Sequence, residues 1–328
     1  MTAPEAAVVV PVYNAGAYLL PCLDAIASQT LRHFVCILVD DGSTDGSGAV
    51  CDGYAARDPR FRAVHQRNSG VSAARAAGTA LAKQTGARWI AFCDGDDAYH
   101  PAFLRTLVDA ALNTGLPLAC CRYESFAGPI PIPGPAAPPR RLMHPEHSKA
   151  LLHDHAVDYS LCNKLYRADL LTPAALDNGY AYNEDLVTNW QVFRQAPGCA
   201  FCDFAGYYYR QHAASASHRP LPPQSVDEQR RAALTVRQTA PTDLQADADA
   251  FYYEKLVYLA SMILRRPDPE IYRPQFHELC VGIRAGLRDP RLGRSPCLPR
   301  TIRAAAWATV YCPALWRQAC RILLKDRQ

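Results

Sequence analysis

The sequence has no apolar run long enough to cross a bilayer. Its longest uncharged stretch near the end, Ala304 to Trp316, is 13 residues and contains Pro313, whereas a membrane span needs about 20. The opening, MTAPEAAVVVPVYN, lacks a basic n-region and reads as a first strand rather than a signal peptide. Charge is sparse too: 20% of the 328 residues are charged and 49% are hydrophobic, with a formal net charge of +4. That balance excludes a disordered or highly charged polymer. A metal-finger pattern is missing, because the one CxxC, Cys199 to Cys202, has no second pair and no His at a finger interval. No internal repeat is apparent.

Cysteine and proline, by contrast, are abundant. The 13 cysteines are odd in number, follow no short spacing and fall in apolar runs such as FVCILV and IAFC, as reduced, buried thiols of a cytoplasmic protein would. The 26 prolines predict numerous rigid loops. The net charge is also unevenly distributed. Residues 284–328 hold ten Lys/Arg against two Asp/Glu, a charge of +8, which leaves −4 for residues 1–283. A basic tail on a mildly acidic body argues against a nucleic-acid partner.

From the start to about residue 125, apolar β-branched runs alternate with helical patterns. AAVVVPVY, FVCILVDD, FRAVHQ, RWIAFCD and PLACCRYES read as strands, with helices between them. Strands apolar on both faces and separated by helices imply an α/β fold, Rossmann-like, with a mostly parallel central sheet flanked by helices. The ligand crevice of such a sheet lies at the carboxyl ends of its strands. The polar clusters here, Tyr13-Asn14, Asp40-Asp41, Asn68 and Asp94 to Asp97, fall at those ends. Residues 127–139 are too rich in Pro and Gly for a regular helix or central strand. Helices should dominate after about residue 218, giving domains of 1–218 and 219–328.

Three acidic clusters carry candidate chemistry: DDGSTD at 40–45, DGDD at 94–97 and NED at 183–185. Asp94 and Asp96 could converge on a hard cation such as Mg²⁺ or Mn²⁺, which takes a few carboxylate oxygens and keeps positions open for phosphates. That would suit a diphosphate leaving group. The same DGDD also reads as a capping turn ahead of the Pro101 helix, and DDGSTD as a tight turn. A strand-end DxD could equally serve an aspartate-dependent phosphatase or nucleotidyltransferase. A catalytically silent membrane-associated scaffold is a further alternative.

The order VPVYN, DDGSTD, NSGVSAAR, FCDGDD, continuing through CNKLYR, NEDL and YYYRQ, resembles the family 2 glycosyltransferases. The resemblance covers roughly residues 6–218. It implies a GT-A fold and inverting transfer of a sugar from a nucleotide-diphospho sugar, most simply a UDP-sugar, to an acceptor hydroxyl. Pro11 and Tyr13 would border the base, and Asp41 would accept a hydrogen bond from it, with Asp40 stabilising the turn. Arg75 would reach the diphosphate or hold the Asp cluster. Asp94 and Asp96 would bind the divalent cation, and Asp185 would be the general base, with Glu184 beside it. Asn163, Lys164, Arg210 and His212 could neutralise the diphosphate, or be a structural hydrogen bond and solvated charges. Ala76, Gly95 and the AASAS segment at 213–217 depart from the usual family forms. The stretches 127–141 and 170–182 would select sugar and acceptor.

At the end of the chain, Arg317, Arg321 and Lys325 recur on one helical face, with Leu315, Trp316, Ala319, Ile322 and Leu323 opposite. Such a helix suits the interface of an anionic membrane, with Trp307 and Tyr311 adding interfacial aromatics. An ordinary packed helix or a dimer contact would show the same pattern. Membrane docking on the cytoplasmic face would fit a lipid-linked saccharide acceptor in bacterial surface polysaccharide synthesis.

Overall fold

The computed structural model describes residues 2–131, 134, 138–154, 156–212 and 221–323, without the side chains of residues 321–323. Residues 213–217 and Lys325 lie outside them. The chain divides into two units, Met1–Gly179 with Glu184–Arg219, and Tyr180–Asn183 with Pro220–Gln328.

The first unit is built on a nine-stranded sheet. Strands β1 (Ala6–Val12), β2 (Phe34–Asp40), β3 (Phe61–His65) and β4 (Trp89–Phe92) form its parallel half in the order β3-β2-β1-β4. Between them run helices α1 (Leu19–Ala27), α2 (Ser47–Arg57) and α3 (Val71–Gln84). Every residue of β2 is buried, as is every residue of β1 except Pro11, which explains their unbroken apolar runs. The α3 helix lies close on this half. A Cβ on Gly78 would come 2.4 Å from Val9 Cγ1 and 3.0 Å from Val39 Cγ2, so only glycine permits this approach.

The other half of the sheet is mixed. The strands β5 (Ala98–Tyr99), β6 (Leu118–Phe126), β7 (Arg140–Met143), β8 (Lys164–Arg167) and β9 (Gly198–Arg210) complete it. The KLYR strand β8 inserts between β4 and β6, antiparallel to both, and β6 pairs in parallel with β9. Helices α4 (Phe103–Thr114), α5 (Glu146–His153), α6 (Pro173–Leu176) and α7 (Glu184–Gln195) accompany this half. The result is a helix-flanked α/β sheet whose parallel strand ends point one way.

The second unit is helical: α8 (Pro223–Thr239), α9 (Gln245–Arg265), α10 (Arg273–Arg288), α11 (Pro290–Arg294), α12 (Arg300–Tyr311) and α13 (Pro313–Leu323). Leu256, Leu259, Ile263, Tyr272, Leu279 and Ile283 form its core. The tail differs from a free amphipathic helix. Trp316 packs on this core and its indole N–H donates to Ser261 Oγ at 2.9 Å, while Arg317 donates to the Arg266 carbonyl at 3.2 Å. A half-buried indole packed on apolar side chains satisfies both its ring and its N–H there. Trp307, Tyr311 and Leu315 are instead exposed, at 54%, 53% and 68%. Among the described residues, no helix is long and apolar enough to cross a membrane. All 13 cysteines are free.

Candidate active site

The turns after β1, β2 and β3 are stitched into one rim. After β1, Asn14 adopts a positive φ of 50° and its side-chain oxygen accepts from Thr44 N at 2.8 Å, while Asn14 N donates to Ser43 Oγ at 3.0 Å. Asp45 accepts from Gly16 N at 2.9 Å. Asp41, buried, receives three hydrogen bonds: from Gln66 Nε2 at 2.8 Å, Ser69 N at 2.9 Å and Gly70 N at 2.8 Å. Its carboxylate thus fixes the turn after β3. Gly42 between these turns has φ 74°, and a Cβ there would stand 3.0 Å from Asn68 N. Asp40 holds its own turn by accepting from Ser43 N at 3.0 Å and pairing with His65 at 2.8 Å. Burial raises the Asp40 carboxyl, but the bonds from Ser43 and His65 outweigh it and hold it below its ordinary value. The same bond, with one to Asp52, raises His65. Pro11 lies half-buried at the end of β1 and Tyr13 presents its ring to solvent, 54% exposed.

Beyond β4 the DGDD turn meets α3 and α7. The buried Arg75 donates from Nη2 to Asp94 at 2.9 Å, and from Nη1 to Asp185 at 2.8 Å and Glu184 at 3.2 Å. One guanidinium therefore joins the strand-end carboxylate to the acidic start of α7. Burial alone would lower Arg75, but the charges of Asp185 and then Asp94 hold it well above its ordinary value. Glu184 is pushed up to about 7, by burial and then by the Asp185 charge, against the pull of Arg75. The second Asp185 oxygen accepts from Leu161 N at 3.2 Å.

Asp94 and Asp96 keep their side chains 37% and 34% exposed. Asp96 pairs with His212 at 3.0 Å, whose ring stacks on Tyr18 at 4.3 Å. Asp97 is the buried member of the turn, bonded to the Tyr207 hydroxyl and to Arg210 N. Burial, then the Asp94 and Asp96 charges, push it up to about 8. The sequence pattern marks Asp97 only as the second Asp of the DD pair.

Two expected diphosphate contacts are occupied within the protein. Arg210 is buried over the Phe126 ring at 4.5 Å and donates to the carbonyls of Asp96 at 2.9 Å and Gly128 at 3.0 Å. It props the backbone of the DGDD turn. Lys164 has no exposed surface, and its ammonium donates to the carbonyls of Ser160 at 2.7 Å and Val157 at 3.0 Å and to Asn163 Oδ1 at 2.8 Å. Asn163 in turn donates to the Cys121 carbonyl at 2.8 Å. Most of these hydrogen-bond partners are backbone carbonyls, which leave no trace in a sequence pattern.

Both the sequence and the fold match known proteins. The Glycosyl transferase family 2 model matches residues 7–172. The chain belongs to this family. It is 33% identical over 231 residues to EpsJ of Bacillus subtilis (strain 168), an uncharacterized glycosyltransferase; the match covers 69% of this chain and 66% of EpsJ. Among solved structures, S. aureus TarS 1–349 in complex with UDP-GlcNAc superposes with a TM-score of 0.69 at 20% identity, covering 99% of this chain and 93% of that one. The mannosyltransferase PcManGT from Pyrobaculum calidifontis, in complex with GDP-Man and Mn2+, gives 0.53 at 13% identity, covering 99% and 89%. These two likenesses establish the GT-A fold.

Proposed function

We propose that this site moves a sugar from a nucleotide-diphospho sugar, of the UDP class, to an acceptor hydroxyl with inversion at the anomeric carbon. The observation that carries the reading is the Arg75 clasp, which holds Asp185 and Asp94 to one guanidinium. Inversion in a single displacement needs one base and one stabilised leaving group. Asp185 takes the proton of the attacking hydroxyl. Both its oxygens are fixed, one by Arg75 and one by Leu161 N–H, so the base is oriented before the acceptor arrives. Tyr13 offers its exposed ring to the nucleotide base, with Pro11 and Asp41 bordering it.

The donor set at Asp94 and Asp96 is two hard, partly exposed carboxylates, which fits Mn²⁺ or Mg²⁺. Among the described residues no cluster of three or more such side chains could hold a metal ion, so phosphate oxygens would complete the shell. When bound, the cation supplies positive charge against the departing diphosphate. The ligands of TarS and PcManGT, UDP-GlcNAc in one and GDP-Man with Mn2+ in the other, support the same donor and cation classes here. Nucleotide release from a panel of UDP-, GDP- and dTDP-sugars, with Mn²⁺, Mg²⁺ or EDTA, tests the reading. A metal-dependent preference for one donor is expected; no donor-dependent release and no thermal protection by any nucleotide would overturn it.

The acceptor is a saccharide, lipid-linked, met at the cytoplasmic face of an anionic membrane. Residues 290–325 carry basic side chains and no Asp or Glu. The Trp307 and Tyr311 rings meet in a tilted contact at 5.6 Å, both exposed, and Leu315 on the next helix is exposed as well. An exposed aromatic and leucine stripe in a wholly basic segment complements an anionic lipid surface. Vesicles of anionic lipid should sediment the protein, and Trp307→Ser with Tyr311→Ser should weaken this several-fold. Equal binding by the double variant, or by neutral vesicles, would exclude this face.

A further inference from the structure

We propose that Lys164, with Asp158 and Asn189, is a positioning residue for the general base, acting through the 157–163 loop. The inference rests on the reading of Asp185 as that base. The loop is wound around the Lys164 ammonium, which donates to the carbonyls of Val157 and Ser160 and to Asn163 Oδ1 and pairs with Asp158 at 3.5 Å. Asp158 holds a positive φ of 32° and accepts from Ser160 N at 2.6 Å and Asn163 Nδ2 at 3.1 Å. The loop is therefore set from within by one cation and one carboxylate.

The wound loop is then tied to α7 at two points one helical turn apart. Leu161 N donates to Asp185 at 3.2 Å. Asn189, four residues along the helix and fully buried, donates to the carbonyls of Tyr159 at 2.8 Å and Ser160 at 3.3 Å, while its own oxygen accepts from the Tyr166 hydroxyl at 2.8 Å. Residues i and i+4 share a helix face, so Asp185 and Asn189 meet the same loop. Removing the ammonium would leave the Val157 carbonyl without this donor and the Ser160 carbonyl with only the longer bond from Asn189. Buried acceptors in that state drive local rearrangement, and the Leu161 N–H would leave the carboxylate. Lys164 thus serves the base from beneath.

The test uses the full chain with Lys164→Met, assayed below its unfolding temperature. Misplacing a reacting group by about 1 Å costs about 10²-fold, so kcat should fall about 10- to 100-fold while the donor KM stays within about twofold. In an Asp185→Asn background the same change should cost little more, because residues acting as a unit are non-additive. A raised donor KM with unchanged kcat would put Lys164 on the diphosphate and overturn the proposal; so would unchanged kinetics or full additivity. Asn189→Ala removes one of the loop's two ties to α7 while leaving the buried cation in place, and should give the same split if Lys164→Met does not fold. Asp185→Asn alone separates the two readings: retained transfer there removes the base assignment itself, whatever Lys164 does.

Discussion

Asp185→Asn is expected to lower kcat by about 10²–10⁴-fold, the usual contribution of a positioned base, and to leave donor binding nearly intact. The substitution preserves shape, so an amide oxygen can still accept from Leu161 N–H or from Arg75. The fold should tolerate it for a second reason. The Asp185 charge is one cause of the raised Glu184 carboxyl, and neutralising it lets Glu184 ionise more readily and replace the lost partner of Arg75. Single-turnover kinetics together with donor binding followed by thermal shift would separate the two effects. Transfer within about threefold of wild type would place the base on another residue.

Arg75→Met should have the largest effect on stability. The substitution removes one buried cation and leaves Asp94, Glu184 and Asp185 facing one another across its place. Breaking a buried ion cluster by deleting one partner costs about 3–5 kcal/mol. The sign of its pH dependence follows from Glu184. Its folded value of about 7 exceeds the ordinary 4.5, so the folded state holds the proton more tightly and this group's contribution to stability declines as pH rises between the two. Without Arg75 the carboxyl loses the one charge that lowers it. The deficit measured by urea unfolding should therefore be greater at pH 8 than at pH 5, and transfer should be lost together with stability. Equal deficits at both pH values would mean that the cluster is not electrostatically coupled through Arg75.

Much of this architecture is legible in the sequence, and the illegible part has a common cause. The runs AAVVVPV and FVCILVD declare themselves because strands buried on both faces must be apolar throughout. The carboxylates Asp94 and Asp185 declare themselves by standing at element ends in a family-like order. The four residues of KLYR say nothing of sheet position, because hydrogen-bond partners across a sheet are backbone groups. Lys164 and Arg210 stay ambiguous for the same reason: a cation reads equally as a diphosphate contact or a solvated charge until the carbonyls that surround it are known. Trp316 misleads differently. The helical pattern identifies its apolar face, but the same face serves lipid or protein, and α9 supplies the protein.

The place of β8 bears on how the chain reaches this state. After β4 has emerged from the ribosome, the apolar edge of Trp89–Phe92 has no neighbour until Lys164–Arg167 is made, since β8 alone joins β4 to β6. An unpaired strand edge is a template for wrong pairing, and contacts distant in sequence form slowly. The nascent parallel half is thus the stage at which this protein would need shielding, and truncations ending before residue 164 should aggregate while those extending past Arg210 should not.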